Sequence, residues 1–466
     1  MPDLDSKSTI NGFEKIGQSI HLLNIPDIKE FISFYQSITL KKGPLFDSSM
    51  NQHSSAQWSF FSLKPNHTFT KMPDNLLEFS SENEKSTSQE CFFEQLDKFS
   101  FKPKNNYLEL KKYPFIGGYI GYLSFENFIE NRIEQKVKKN SFPLYQFSFF
   151  TNVFIFDHAA KETVLISDGD ATLLELFNLW QKTKTNANIN KRKNKTVLKP
   201  NITKEKYLST IEKIFEHIRN GDIYQANFTH KFSSEFTGNP FSLYQSLRNT
   251  NPAPFACFYP INEKQYILCS SPERLFKVCD GQITSNPIKG TIRRDPDNFI
   301  DEKLKKDLLN SAKDAAELAM IVDLIRNDIG KISEFGSVKV LHYKKLETFQ
   351  KVHHLVGIIE GKLRPEITVK NIFEALFPGG SITGAPKIRS IEILNELEDE
   401  ARGPYTGSVG YIDIRGNMDF NIMIRTILID SKSISLQVGG GIVIDSNPYC
   451  EYEETLHKAE AMFDAL

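Results

Sequence analysis

The 466-residue chain reads as an α+β protein whose sheets are antiparallel, and two observations carry that reading. In the C-terminal half, short β-patterned runs follow one another more often than a helical window separates them, which argues against a doubly wound parallel sheet. In the N-terminal half, aromatic and β-branched runs are bounded by polar turns, the pattern of strands. The first clear elements are a strand at 117–122 (GGYIGY) and a continuous β run at 147–156 (FSFFTNVFIF). The glycines of the former suit a curved sheet better than a phosphate loop. A helix is expected over 171–180. The stretch 182–195 (KTKTNANINKRKNK) has almost nothing to bury and lacks the interleaved aromatics of a nucleic-acid arm, so it reads as a solvated linker. A helix at 204–219 follows, then strands at 266–270 and 409–414 and long helical windows at 308–327 and 448–463. The chain therefore divides into a region 1–181, a linker 182–200 and a region 201–466.

Lys and Arg number 57 against 58 Asp and Glu, a formal net charge of −1, which excludes bulk electrostatic attraction to nucleic acid or an acidic membrane. The apolar fraction of 40% and the 37 Phe residues supply a substantial core. Five cysteines (Cys91, Cys257, Cys269, Cys279 and Cys450) show neither a CxxC pair nor zinc spacing, as in a reduced, cytoplasmic protein. The polar N-terminus does not resemble a signal peptide, and no window reaches the ~18 apolar residues of a membrane helix, so a soluble protein is expected.

Four features carry chemistry. Glu317 lies inside the apolar window AAELAMIVDLI, on the face of Ile321 and Leu324. An unpaired carboxylate there costs several kcal/mol, so Glu317 is either an edge residue paired with a cation or a metal ligand. A helix starting at Asn447-Pro448 places Glu451, Glu454 and Lys458 within about 60° of one another. That stripe is either a surface ion pair or, with Glu317, the hard-oxygen set that Mg²⁺ prefers, and spacing leaves both open. Lys289, in PIKGTIRR, is a solvated turn lysine or, with its amine free, a nucleophile. The loop 377–389 (FPGGSITGAPKIR) fails as a P-loop because Ala385-Pro386 separates Gly384 from Lys387, yet it leads into a helix and can offer N–H groups to an anion. Gly439, Gly440 and Gly441 allow a ligand close to the backbone.

In this order, the segments resemble the chorismate-utilising enzymes. The match rests on SPERL (271–275), PIKGTIRR (287–294), ELAMIVDLIRNDIG (317–330), VHHLVG (352–357), PGGSITGAPK (378–387), GYIDIRGNMDFNIMIRT (410–426) and GGGIVIDSNPYCEYEETLHKA (439–459). The resemblance is dense from about residue 221 onward, and weak before it. It implies two stacked antiparallel sheets packed orthogonally as a sandwich core, with helices outside. Region 1–181 would correspond to the family's N-terminal part, similar to that of anthranilate synthase component I, and 201–466 to the chorismate-binding catalytic part. Anthranilate-forming relatives carry PIAGT where this chain carries PIKGT, the form of relatives that aminate chorismate at C4. The implied activity is thus Mg²⁺-dependent amination of chorismate to 4-amino-4-deoxychorismate, for 4-aminobenzoate and folate synthesis. Anthranilate-type and isochorismate-type synthesis are the alternatives.

The resemblance also implies roles. Glu317, Glu451 and Glu454 would hold Mg²⁺. Lys289 would be the covalent nucleophile, Glu273 the acid/base for the 4-hydroxyl, and His354, rather than His353, the histidine near the ring. Arg425 and Tyr405 would bind the enolpyruvyl carboxylate, with Gly440 and Gly441 completing the pocket. Thr383 and Lys458 would position the ring carboxylate and the metal glutamates, and Thr291 would join the substrate contacts. No cysteine sits in a Gly-x-Cys-x-Gly elbow, so ammonia would come from a separate glutamine amidotransferase subunit. The segment 45–49 (LFDSS) is similar to the stretch where relatives bind tryptophan, but Phe46 and Ser49 depart from it.

Overall fold

The computed structural model describes residues 8–10, 13–16, 20–38, 42–50, 56–73, 76–98, 110–135, 138–167, 197–349 and 352–466. The expected helix at 171–180 and the linker up to residue 196 lie outside the described residues. The last residues of that linker, Lys199–Pro200, already pair with the strand Gln225–Glu235.

Among the described residues, two large antiparallel sheets of 14 and 12 strands form the body of an α+β fold. Both halves of the chain build both sheets. In the larger sheet Lys42–Asp47 pairs with Phe255–Pro260, and in the smaller Gly118–Leu123 pairs with Ser408–Asp413. The period-2 alternation of strand side chains sorts residues between layers. Val153 and Ile155 enter the core between the sheets with Tyr122, Val409 and Tyr411. Phe154 and Phe156 point the other way, against Phe34 and Phe31 of the helix Ile28–Ser37. On the outer face of the second sheet, the helix Ala312–Gly330 packs Leu318, Ile321 and Val322 into one cluster with Phe276, Ile359 and Phe420. The helices Lys204–Arg219 and Pro448–Phe463 cover the paired strands Gln225–Glu235 and Ser433–Ile442.

The expected strands at 266–270 and 409–414 appear as Gln265–Ser271 and Ser408–Asp413, and the expected helices at 204–219 and 448–463 are present. Two expectations change. The run 147–156 is not one strand: Tyr145–Phe150 belongs to the smaller sheet and Asn152–Asp157 to the larger. The apolar pattern hides this corner because both strands bury both faces; the polar step marks it, and the Asn152 amide bonds the N–H and C=O of Leu63 to pin the second strand. The window 308–327 is also broken. Ser311 ends the helix Asn298–Asn310 and caps the next one, its hydroxyl accepting from the Asp314 N–H. Among the described residues no helix is long and apolar enough to cross a membrane, and all five cysteines are free thiols.

Candidate active site

Lys289 sits on the strand Ile288–Arg293, where a bulge at Gly290 shifts the register against Val352–Lys362. Gly290 has φ +76°, and a Cβ there would meet Asp314 at 3.1 Å, so the bare backbone lets the helix Ala312–Gly330 press its first turn onto the strand. Lys289 Nζ thereby comes 3.6 Å from Glu317 Oε2. The glycines of Ser433–Ile442 close the other side. A Cβ on Gly441 would lie 2.8 Å from Lys289 Nζ and 2.6 Å from Gln225 Nε2, and one on Gly440 would lie 3.2 Å from Glu451 Oε2. Each glycine thus makes room for a polar side chain.

Glu273 is 3% exposed and accepts hydrogen bonds from the Ser381 hydroxyl (2.7 Å) and the Ile288 N–H (3.3 Å). Burial pushes its carboxyl up to about 7, outweighing these bonds and the nearby Lys289 charge. The carboxyl is therefore available as a proton donor near neutrality. His354 is also buried; its Nδ1 is 2.8 Å from the Thr291 hydroxyl, and its Nε2 has no partner. Burial, with the Arg425 charge, pulls the imidazole down to about 3, so it remains neutral. Arg425, at φ +51°, reaches Asn251 Oδ1 at 3.1 Å and has no acidic partner within salt-bridge distance among the described residues. Burial lowers its guanidinium to about 10. It can therefore bind an anion without first giving up a carboxylate. Tyr405 is buried, and burial raises its phenol well above the usual tyrosine range. Thr383 is fully buried with its hydroxyl donating to the Gly379 carbonyl at 2.9 Å.

The carboxylates expected to bind metal lie on two helices and are each held by a lysine. Glu317 faces Lys289 and, at 3.9 Å, Lys313; Glu451 Oε1 is 3.8 Å from Lys313 and accepts from the Ser446 hydroxyl. Glu454 pairs with Lys458 at 2.7 Å, and Lys458 also donates to the Gly439 carbonyl. Among the described residues no three acidic, His or Cys groups converge into a ready cage. The donor set nonetheless fits Mg²⁺. It is all carboxylate oxygen, and one cation, the Lys313 ammonium, already stands within 4 Å of Glu317 and Glu451 together.

Four polar residues at the cleft escape the sequence reading. The Gln225 side chain is fully buried beside Lys289, with neither its nitrogen nor its oxygen partnered, and so can both donate to and accept from a ligand. Ser381 holds Glu273, Asn251 holds Arg425, and Lys313 bridges two glutamates. The available signal was a glutamine in an otherwise aromatic and small-residue strand, QANF, which does not specify chemistry. Lys387 is not an anion-binding residue: its ammonium bonds Asp328 at 2.8 Å and the carbonyls ending the helix Val369–Leu376. In the segment 45–49, Asp47 is paired with Arg248, Ser48 and Ser49 donate to the Pro254 and Ala253 carbonyls, and Phe46 stacks on Phe60 at 4.9 Å.

Residues 55–464 match the family of chorismate binding enzymes. The chain is 34% identical over 444 residues to anthranilate synthase component 1 of Lactococcus lactis, covering 92% of this chain and 96% of that protein. It is equally, 34%, identical over 453 residues to aminodeoxychorismate synthase component 1 of Escherichia coli, covering 96% and 98%. The crystal structure of anthranilate synthase component I from Streptococcus pneumoniae superposes with a TM-score of 0.79 at 32% identity, over 88% of this chain and 93% of that one. With residues 55–464 matched and 34% identity to relatives covered almost end to end, the chain belongs to the chorismate-binding enzyme family.

Proposed function

We propose that this chain is the chorismate-aminating component of an aminodeoxychorismate synthase. The observation that carries this reading is Lys289: a lysine in the cleft, beside Glu317 and Gly441, where an alanine would leave no nucleophile. Relatives of equal identity bear the anthranilate synthase name, so overall similarity does not choose between the two.

The residues support the following sequence. Arg425 and Tyr405 bind the enolpyruvyl carboxylate, and the backbone at Gly440 and Gly441 completes the pocket. Thr383 and Lys458 orient the ring carboxylate and the metal glutamates. Lys289 Nζ, after releasing a proton to solvent, attacks C2, the ring double bonds shift, and the C4–O bond breaks as Glu273 donates its proton, so that water leaves. Ammonia then adds at C4 and returns a proton to the Glu273 carboxylate, the double bonds shift back, and the C2–N bond breaks with its electron pair returning to Lys289 Nζ. His354, its Nδ1 fixed by Thr291, presents Nε2 toward the ring. Mg²⁺ held by Glu317, Glu451 and Glu454 would draw charge from the ring carboxylate and ease loss of the hydroxyl.

Ammonia would be delivered by a separate glutamine amidotransferase subunit, since the chain carries no nucleophile elbow of its own. The free cysteines fit work in a reducing cytoplasm. The test is the product spectrum with chorismate, Mg²⁺ and ammonium salt, resolved by chromatography. The expected product is 4-amino-4-deoxychorismate, which yields 4-aminobenzoate only when a lyase is added. Fluorescent anthranilate formed without a lyase, or isochorismate as the major product, contradicts the proposal.

A further inference from the structure

We propose that Lys313 is a built-in counter-cation of the carboxylate cluster, which competes with divalent metal for Glu317 and Glu451 and swings toward solvent when metal binds. This rests on the reading of those glutamates as metal ligands.

Lys313 opens the helix Ala312–Gly330, one turn before Glu317. Its Nζ lies 3.9 Å from Glu317 Oε1 and 3.8 Å from Glu451 Oε1, so one ammonium ties a carboxylate on its own helix to one on Pro448–Phe463. Glu451 is 5% exposed, and besides Lys313 its Oε1 accepts from the Ser446 hydroxyl at 2.7 Å. Around the cleft three carboxylates (Glu317, Glu451, Glu454) face three ammonium groups (Lys289, Lys313, Lys458). The cluster is thus formally neutral before any dication arrives.

Mg²⁺ binds oxygen at about 2.0–2.1 Å, and a dication shared by Glu317 and Glu451 would stand within a few ångströms of the ammonium that lies 3.8–3.9 Å from their Oε1 atoms. One cation has to yield. Lys289 is 14% exposed and enclosed by Gly441 and Gln225, while Lys458 is tied to the Gly439 carbonyl. The Lys313 side chain is 55% exposed and ends a flexible stem, so its ammonium can rehydrate at little cost. Lys313 therefore keeps the two carboxylates facing each other and, by the same contact, weakens the metal's hold.

The test uses the full-length chain, stripped with EDTA, and Mn²⁺ alone as probe, followed by loss of the free-ion EPR signal, with Mg²⁺ read by competition. Lys313→Met is expected to bind Mn²⁺ about ten-fold more tightly than wild type, with a lower melting temperature when stripped and a larger rise on adding metal. Lys313→Arg, which restores a cation, is expected to return affinity to the wild-type range. A Met variant that binds Mn²⁺ no more tightly than wild type overturns the competition and leaves the metal reading standing. If neither protein binds Mn²⁺, and Glu451→Gln changes nothing, the metal reading fails and the competition falls with it.

Discussion

Asp47 and Arg402, buried where the two halves of the chain meet, differ from Glu273 and Arg425 of the cleft in one respect: each is in hydrogen-bond contact with an opposite charge. At the seam of the larger sheet, Asp47 is 1% exposed and is met by Arg248, Tyr244 and Ser59. Arg402, 2% exposed, spends both guanidinium arms on Glu398 and on the carbonyls of Ile382 and Asn227, while Glu126 from the N-terminal half takes the N–H groups of Arg402 and Gly403. In the cleft, Glu273 has a hydroxyl and a backbone N–H but no cation in hydrogen-bond contact, and Arg425 has an amide but no carboxylate. Adjacent histidines repeat the contrast: both ring nitrogens of His353 are engaged, by Thr348 and Asp301, whereas His354 Nε2 is not. The compensated groups hold the fold; under the proposed function, Glu273, Arg425 and His354 Nε2 keep their remaining capacity for the substrate.

The largest expected effect breaks the cleft side. Lys289→Ala is predicted to lower aminodeoxychorismate formation by about 10⁴-fold or more, with chorismate binding by equilibrium dialysis retained. On the seam side, Arg402→Met leaves the buried Glu398 carboxylate without its cation and is expected to cost about 3–5 kcal/mol in urea unfolding. Glu273→Gln removes the proton donor and is expected to lower kcat by about 10²–10⁴-fold with little loss of stability.

The pH dependence of Glu273 sharpens the contrast. Its folded carboxyl, at about 7, lies above the ordinary 4.5, so the fold favours the protonated form. Stability from this group is fully present below about pH 4.5 and is lost as pH rises through about 7. Wild-type kcat should fall over that upper limb, and Glu273→Gln should flatten the stability term. The neighbouring histidines should separate: His353→Ala is expected to cost about 1–3 kcal/mol of stability, while His354→Ala mainly alters kcat or KM. The smallest effect expected is none. With the polar atoms of Asp47, Ser48 and Ser49 engaged inside the chain, calorimetric titration with tryptophan should show no heat of binding.

Much of this was legible in the sequence for identifiable reasons. The α+β class followed from the strand-rich pattern; Glu317 stood out as a carboxylate in an apolar helical window, and Glu451, Glu454 and Lys458 as charges at helical spacing on one face of another helix. The corner at Thr151 was hidden because both flanking strands are aromatic-rich and largely buried on both faces, and the cap at Ser311 because helical periodicity resumes at once. Gln225, Asn251 and Lys313 were not legible, since each acquires its place from a partner far along the chain: Gln225 beside Gly441, Asn251 on Arg425, Lys313 on Glu451. What spacing cannot carry is which buried charge finds its partner.

The central claim, that Lys289 forms a bond to the substrate, is tested most directly by mass spectrometry of the protein incubated with chorismate and Mg²⁺ in the absence of ammonia. The expected result is an adduct on the peptide bearing Lys289, heavier by chorismate less one water, which disappears when ammonium is added. An unmodified Lys289 peptide from protein that turns over normally with ammonia contradicts it.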